Sequence, residues 1–130
     1  RSNVKLLGRL GATVRLAGPP SLLPADMPGT SSIEDAIEGA DAVMMLRVQR
    51  ERLDEELGDA PGEFLARYGL TAERLARAAP HAVVMHPGPM NRGVEIADEV
   101  ADLPGRSLIV RQVENGVAIR MACLDLLVGS

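Results

Sequence analysis

Two short stretches of this 130-residue chain carry side chains suited to chemistry. The first is Arg47-Val48-Gln49-Arg50-Glu51, directly after the apolar run Ala42-Val43-Met44-Met45-Leu46. A guanidinium where a buried strand ends is well placed to hold a carboxylate in bidentate fashion. Gln49 adds a neutral donor two positions on, and Glu51 is close enough in sequence to hold Arg47 in orientation. The plain alternative is a solvated charged loop whose ion pairs contribute little. The second stretch is Met85-His86-Pro87-Gly88-Pro89-Met90-Asn91-Arg92-Gly93-Val94-Glu95-Ile96, after the apolar run Ala82-Val83-Val84. Pro87 and Pro89 lack an N–H and end strand pairing, which leaves nearby carbonyl oxygens free. Gly88 between them permits close backbone approach. His86 reads either as a general acid or base or as a ring that supports the turn by hydrogen bonds. The second reading is favoured, because no serine or carboxylate stands at a recognisable triad spacing.

The elements that must position these residues follow from periodicity. Residues 3–10 place Val4, Leu6, Leu7 and Leu10 on one helical face, stopped by Gly11. Residues 13–17 read as a strand, and Gly18-Pro19-Pro20 opens a proline-rich loop to about Gly29. Ser32 precedes a short helix with Asp35 three positions on, as a capping pair requires. Residues 41–47 read as a central parallel strand, apolar on both faces. Residues 48–62 are dense in charge and read as a partly helical, mobile loop. Helices are expected at 63–68 and at 71–79, the latter capped by Thr71 with Arg74 and Arg77 on its wet face. After the proline turn come an expected helix at 94–100, a strand at 107–110 and a helix at 113–128 with a Val117, Met121, Leu124, Val128 stripe. Glu114-Asn115-Gly116 reads as a bend or helix start.

Strands separated by helices imply a mainly parallel sheet with right-handed crossovers, an α/β Rossmann-like three-layer domain. Such a domain begins with its strand, so the leading helix suggests a chain cut after a first strand. Open sheets of this kind bind ligands beyond the carboxyl ends of their strands, where both stretches fall.

Composition narrows the function classes. The net charge is −4 and only 2% of residues are aromatic, a poor match to nucleic-acid binding. No apolar run approaches the ~20 residues of a membrane span, and no signal peptide is visible, so a cytoplasmic location is expected. Cys123, the single cysteine, reads as a small buried hydrophobe. His81, His86 and a distant cysteine make no metal site of usual spacing. No GxGxxG or GxxxxGK[ST] pattern follows a strand, so the dinucleotide and P-loop readings are weak.

Taken together, Met45 to Leu53 and Met85 to Ile96 closely resemble aspartate carbamoyltransferase. Arg1-Ser2-Asn3, Gly18-Pro19-Pro20, Tyr68-Gly69-Leu70-Thr71 and Asn115-Gly116-Val117-Ala118-Ile119-Arg120 fit in the same order. The resemblance spans essentially the whole chain and corresponds to the C-terminal, aspartate-binding half of that family. The sister ornithine enzymes carry a Cys-Leu-Pro element after the histidine and a Ser-Met-Gly loop, and this chain has neither.

The resemblance implies transfer of the carbamoyl group of carbamoyl phosphate to the amine of L-aspartate. The products are N-carbamoyl-L-aspartate and phosphate in pyrimidine biosynthesis, and no cofactor is needed. It implies that Arg47 grips an aspartate carboxylate, that Gln49 helps position it, and that Glu51 braces the arginine. It implies that Pro87, Gly88 and Pro89 contact carbamoyl phosphate, with the Pro87 and Gly88 carbonyls accepting hydrogen bonds and the Gly88–Pro89 bond cis. His86 then serves as support. The family forms homotrimers, largely through its other half, and some members have regulatory or dihydroorotase partners.

The resemblance implies that the whole of residues 1–130 corresponds to the aspartate-binding domain, and the carbamoyl-phosphate-binding domain is expected to lie outside this sequence. With it are absent the phosphate-binding Ser-Thr-Arg-Thr-type loop, the carbamoyl-binding His and Gln, and a lysine from a neighbouring subunit. The arginine for the aspartate α-carboxylate belongs just before Arg1. No catalytic set is complete, and the isolated chain is expected to be inactive. Two alternatives remain at this point: a non-catalytic amino-acid-binding or regulatory module of the same fold, and a carbamoyltransferase of different specificity.

Overall fold

The structure, a computed structural model, describes residues 2–48 and 62–129. Its helices are α1 (Ser2–Arg9), α2 (Ile33–Ile37), α3 (Glu63–Tyr68), α4 (Ala72–Leu75), α5 (Asp98–Ala101) and α6 (Ile109–Val128), with a 3-10 turn at Pro20–Leu22. The strands are β1 (Ala42–Met44) and β2 (Val83–Met85). They pair in parallel, with Ala42 opposite Val83, Val43 opposite Val84 and Met44 opposite Met85. A third position continues the sheet beyond β2. Val84 N–H donates to the Arg106 carbonyl (2.8 Å) and Leu108 N–H donates to the Val84 carbonyl (2.9 Å), a parallel bridge to Ser107. The α/β architecture with a parallel sheet between helices is the expected one, and α2 packs against α4 while α6 reaches β2.

Several expected elements are shorter or differ in kind. The strand expected at 13–17 is one parallel bridge, Ala17 to Thr30, because the proline loop returns to take the Leu16 and Gly18 backbone groups. The strand expected at 107–110 is the single Ser107 bridge. Helix α6 claims the chain from Ile109, with Gln112 N–H already donating to the Leu108 carbonyl (2.8 Å). The helix expected from Val94 starts only at Asp98. Ile96 is instead extended against Leu70, with Leu70 N–H donating to the Glu95 carbonyl and Ala97 N–H to the Leu70 carbonyl, each at 3.0 Å. Glu114, Asn115 and Gly116 are neither bend nor helix start but the interior of α6.

The caps fall where side-chain chemistry placed them. Ser32 Oγ accepts from Asp35 N–H at 3.1 Å, and Thr71 Oγ1 accepts from Arg74 N–H at 3.3 Å. Each such cap is worth about 1 kcal/mol. Helix α1 ends at Arg9, and the chain turns away through Gly11, whose φ of +86° suits glycine.

The core gathers Leu70, Leu75, Ala82, Val84, Ile96 and Val100 between sheet and helices. Full burial of each larger aliphatic side chain contributes roughly 1.5–3 kcal/mol. A second small cluster joins Val48, Phe64 and Tyr68, with Val94 against it. It fixes the residue that follows Arg47. The Phe64 and Tyr68 rings lie 5.5 Å apart, tilted by 43°.

Arg74 is not on a wet face. Its side chain is 14% exposed, and it fans across the carboxyl end of α3. It donates to the carbonyls of Leu65 (2.9 Å), Ala66 (2.7 Å), Gly69 (2.7 Å) and Arg67 (3.2 Å), and through Nε to Glu34 Oε1 (2.8 Å). The last carbonyls of a helix have no partner within it, and a guanidinium fork is the side chain able to meet several at once. Cys123 is exposed, against the expectation of burial, because it lies on α6 beyond the part that meets the sheet. Along that helix only Ile109 is buried, and the Val117, Met121, Leu124, Val128 stripe is exposed.

Candidate functional site

Parallel pairing decides what comes together. Met44 faces Met85 across β1 and β2, and Met45 N–H donates to the Met85 carbonyl at 2.9 Å. Arg47 and Gly88, far apart in the chain, therefore each lie three residues past paired positions, beyond the carboxyl ends of adjacent strands. That edge is where parallel α/β sheets take ligands.

Arg47 is exposed there and lines a cleft of about 680 Å³. The wall is mostly apolar, from Leu16, Leu23, Met27, Val43 and Phe64, and Glu95 is its buried acidic member. Gln49 and Glu51, the other two residues of the first stretch, lie outside the described residues. Pro87 and Pro89 are exposed and Gly88 is half-buried. These three residues are not part of the cleft wall, which Arg47 enters from β1.

The proline turn is built around His86, which is fully buried. Gly88 N–H donates to His86 Nδ1 at 2.9 Å, which folds the turn back on the ring. The backbone N–H of His86 donates to Gln112 Oε1 at 2.9 Å, so a side chain of α6 replaces the next sheet partner. Gly88 has a φ of +65°, and the Gly88–Pro89 peptide is cis, as the resemblance implied. A Cβ at Gly88 would stand 3.2 Å from Val113 Cγ2. Gly88→Ala is therefore expected to destabilise the chain by roughly 1–2 kcal/mol, from the left-handed backbone alone before Val113 yields. Urea unfolding measures it, and a variant as stable as the parent would show that the turn relaxes freely.

The imidazole takes a hydrogen bond from the turn on one side and has a carboxylate beside it on the other. His86 Nε2 lies 3.3 Å from Glu95 Oε1, and both side chains are fully buried. Glu95 Oε1 also accepts from Asn91 N–H at 2.5 Å, and Asn91 Nδ2 donates to the Val48 carbonyl at 3.2 Å. Glu95, Asn91 and Gln112 were not singled out from sequence as site residues. Nothing local marks them: Glu95 is brought back to His86 only because Ile96 pairs with Leu70 in the core. Downstream, Arg92 clamps Asp102 with two bonds (2.7 and 2.8 Å) and reaches Asp98 at 3.7 Å. Those bonds hold the Asp102 carboxyl below its usual range and the Arg92 guanidinium above its own. The clamp ties the end of the turn to α5.

His81 is exposed and pairs with Asp41 at 2.7 Å, on the far side of the strands from Arg47 and the turn. Among the described residues no three His, Cys, Asp or Glu side chains converge as metal ligands would, and no helix is long and apolar enough to cross a membrane.

The family described as "Aspartate/ornithine carbamoyltransferase, Asp/Orn binding domain" matches residues 1–127. The aspartate carbamoyltransferase catalytic subunit of Rhizorhabdus wittichii is 57% identical over 132 residues, covering 98% of this chain and 42% of that protein. The corresponding subunit of Novosphingobium aromaticivorans is 56% identical over 132 residues, covering 98% of this chain and 39% of that protein. Among solved structures, ornithine carbamoyltransferase from Thermus thermophilus superposes with a TM-score of 0.76 at 25% identity, covering 95% of this chain and 42% of that one. Aspartate transcarbamoylase from Trypanosoma cruzi, in complex with carbamoyl phosphate, superposes with a TM-score of 0.68 at 26% identity, covering 85% of this chain and 39% of that one. The chain thus spans about two fifths of the length of the curated relatives it matches.

Proposed function

This chain belongs to the aspartate/ornithine carbamoyltransferase family, in its Asp/Orn-binding domain, and from that premise we propose that it is the aspartate-binding part of an aspartate carbamoyltransferase. In the complete protein, the amine of L-aspartate attacks the carbonyl carbon of carbamoyl phosphate. A C–N bond forms, the C–O bond to phosphate breaks, the amine loses a proton, and N-carbamoyl-L-aspartate and phosphate leave.

The observation that carries this reading is the convergence of Arg47 and the His86–Pro89 turn at one edge of the parallel sheet. Arg47 holds a carboxylate of aspartate, and Gln49 and Glu51 take the positioning and bracing roles that the family resemblance implies. The Pro87 and Gly88 carbonyls, in a turn kept by the cis Gly88–Pro89 bond, accept hydrogen bonds from the carbamoyl and amino nitrogens. Catalysis of this kind is mainly orientation of two reactants and stabilisation of the charge that develops between them. A cationic clamp for a dicarboxylic acid favours aspartate over ornithine, and the aspartate enzymes at 56–57% identity support that choice. The remaining substrate groups, the assembly into a homotrimer, and the place in pyrimidine biosynthesis in the cytoplasm belong to the complete protein.

The test compares two chains. The 130-residue chain with labelled carbamoyl phosphate and aspartate is expected to give no product above the uncatalysed rate. A full-length chain carrying these residues is expected to turn over aspartate and not ornithine. Turnover by the short chain would overturn the assignment of half a site, and preference for ornithine would overturn the substrate. A full-length chain that binds aspartate in calorimetry without turnover would be a binding module instead.

A further inference from the structure

We propose that Glu95 is a positioning residue for this site: it selects the tautomer of His86 and, through that ring and Asn91, sets the turn carbonyls relative to the strand end that carries Arg47. The proposal deepens the reading of the preceding subsection and rests on it.

Nδ1 of His86 accepts the Gly88 N–H, so its lone pair lies in the ring plane toward Gly88 and it carries no proton. In the neutral imidazole the proton is then on Nε2, and Nε2 faces Glu95 Oε1 at 3.3 Å. A ring flip would set Cδ2–H, and the other tautomer Nδ1–H, against the Gly88 N–H, and either would open the turn at the residue whose carbonyl the site uses. A carboxylate opposite Nε2 is the group that prevents this, as outer partners do wherever a histidine must present one nitrogen in one direction.

The same carboxylate oxygen takes the Asn91 N–H, and Asn91 Nδ2 holds the Val48 carbonyl. Val48 is adjacent to Arg47 and is fixed from its other side by Phe64 and Tyr68. Glu95 is therefore one node between two arms, His86–Gly88 and Asn91–Val48, which end at the two groups that must face the two reactants.

The node is unfinished in the described residues. His86 Nε2 and Glu95 Oε2 are both buried without a hydrogen-bond partner there, and the 3.3 Å contact falls outside hydrogen-bond geometry. Buried polar atoms are nearly always paired, and bonds at catalytic sites are often long in the free protein and tighten in the complex. Two orphans side by side, a donor and an acceptor, complete each other by a small rotation of the carboxylate.

Two measurements test this. Ring 15N shifts of the unaltered chain are expected to report His86 as a single Nε2–H tautomer, with exposed His81, the only other histidine, as the internal reference. A mixture of tautomers, or the proton on Nδ1, overturns the proposal without relying on any variant. In a full-length chain, Glu95→Gln keeps an acceptor for Asn91 but removes the carboxylate. It is expected to lower kcat on the order of 10²-fold, as a displacement of about 1 Å does, with a smaller change in the KM for aspartate. Arg47→Ala is expected to move chiefly that KM. Glu95→Gln with parental kcat and an unchanged tautomer overturns the positioning role even if Arg47→Ala behaves as expected. An Arg47→Ala variant with unaltered aspartate kinetics overturns the underlying assignment instead, whatever Glu95→Gln does. A low kcat that tracks a lowered folded fraction, with Glu95→Asp restoring rate in step with stability, would assign Glu95 to folding alone.

Discussion

In a full-length chain carrying these residues, Arg47→Ala is expected to cut kcat/KM for aspartate by about 30- to 1000-fold. The estimate follows from the ~2–4 kcal/mol typical of removing one partner of a desolvated charge pair, at about 1.4 kcal/mol per factor of ten. Most of the loss should fall on KM, because the role proposed for the guanidinium is to hold a part of aspartate that does not react. Arg47→Lys should recover only part of it, since an ammonium cannot meet both carboxylate oxygens as the planar fork does. Folding should be little affected, because Arg47 is exposed past the end of β1 and surface changes of this kind cost within about 0.5 kcal/mol. Steady-state kinetics with aspartate varied, beside a thermal melt, separates the two. Unaltered aspartate kinetics in a folded variant would remove Arg47 from the site.

The largest effect on stability is expected at Arg74. Arg74→Ala removes five bonds at once, four to the carbonyls at the end of α3 and one to Glu34. Water replaces some of them, so the loss is estimated at roughly 2–4 kcal/mol rather than the sum of five charged hydrogen bonds. For a domain of this size that is a fall in Tm of about 10 °C. Arg74→Lys should keep the attraction to Glu34 but lose the fan, and so recover less than half. The pH dependence has a definite sign. The bond from Arg74 holds the Glu34 carboxyl below its ordinary 4.5 in the folded chain. A depressed folded value stabilises above the unfolded value and is lost as pH falls through the folded one. The stability gap between parent and Arg74→Ala should therefore narrow in acid. It narrows only slightly, because Glu34 is 38% exposed and the pair is screened. Urea titrations at neutral and acid pH measure both, and a gap that widens in acid would contradict the pairing.

What the sequence determined by itself was local and compositional. Apolar runs ending in Arg47 and His86 marked the two paired strands, and Ser32 and Thr71 marked helix starts because their hydroxyls cap within three residues. The proline pair around Gly88 marked a turn that cannot pair as a strand, and the residues of the two stretches, taken together, resembled one family. Those signals depend on neighbours in the chain, where backbone geometry acts. What only the tertiary structure decided depends on residues distant in sequence. Arg74 could not be read as the cap of a preceding helix, since its partners are carbonyls, which every residue has. Ser107 and Ala17 lost their strands to a competing helix and a returning loop. Glu95 reached His86 because Ile96 is drawn into the core against Leu70. The parallel register that puts Met44 opposite Met85, and so Arg47 beside the proline turn, is a contact between segments that burial brings together.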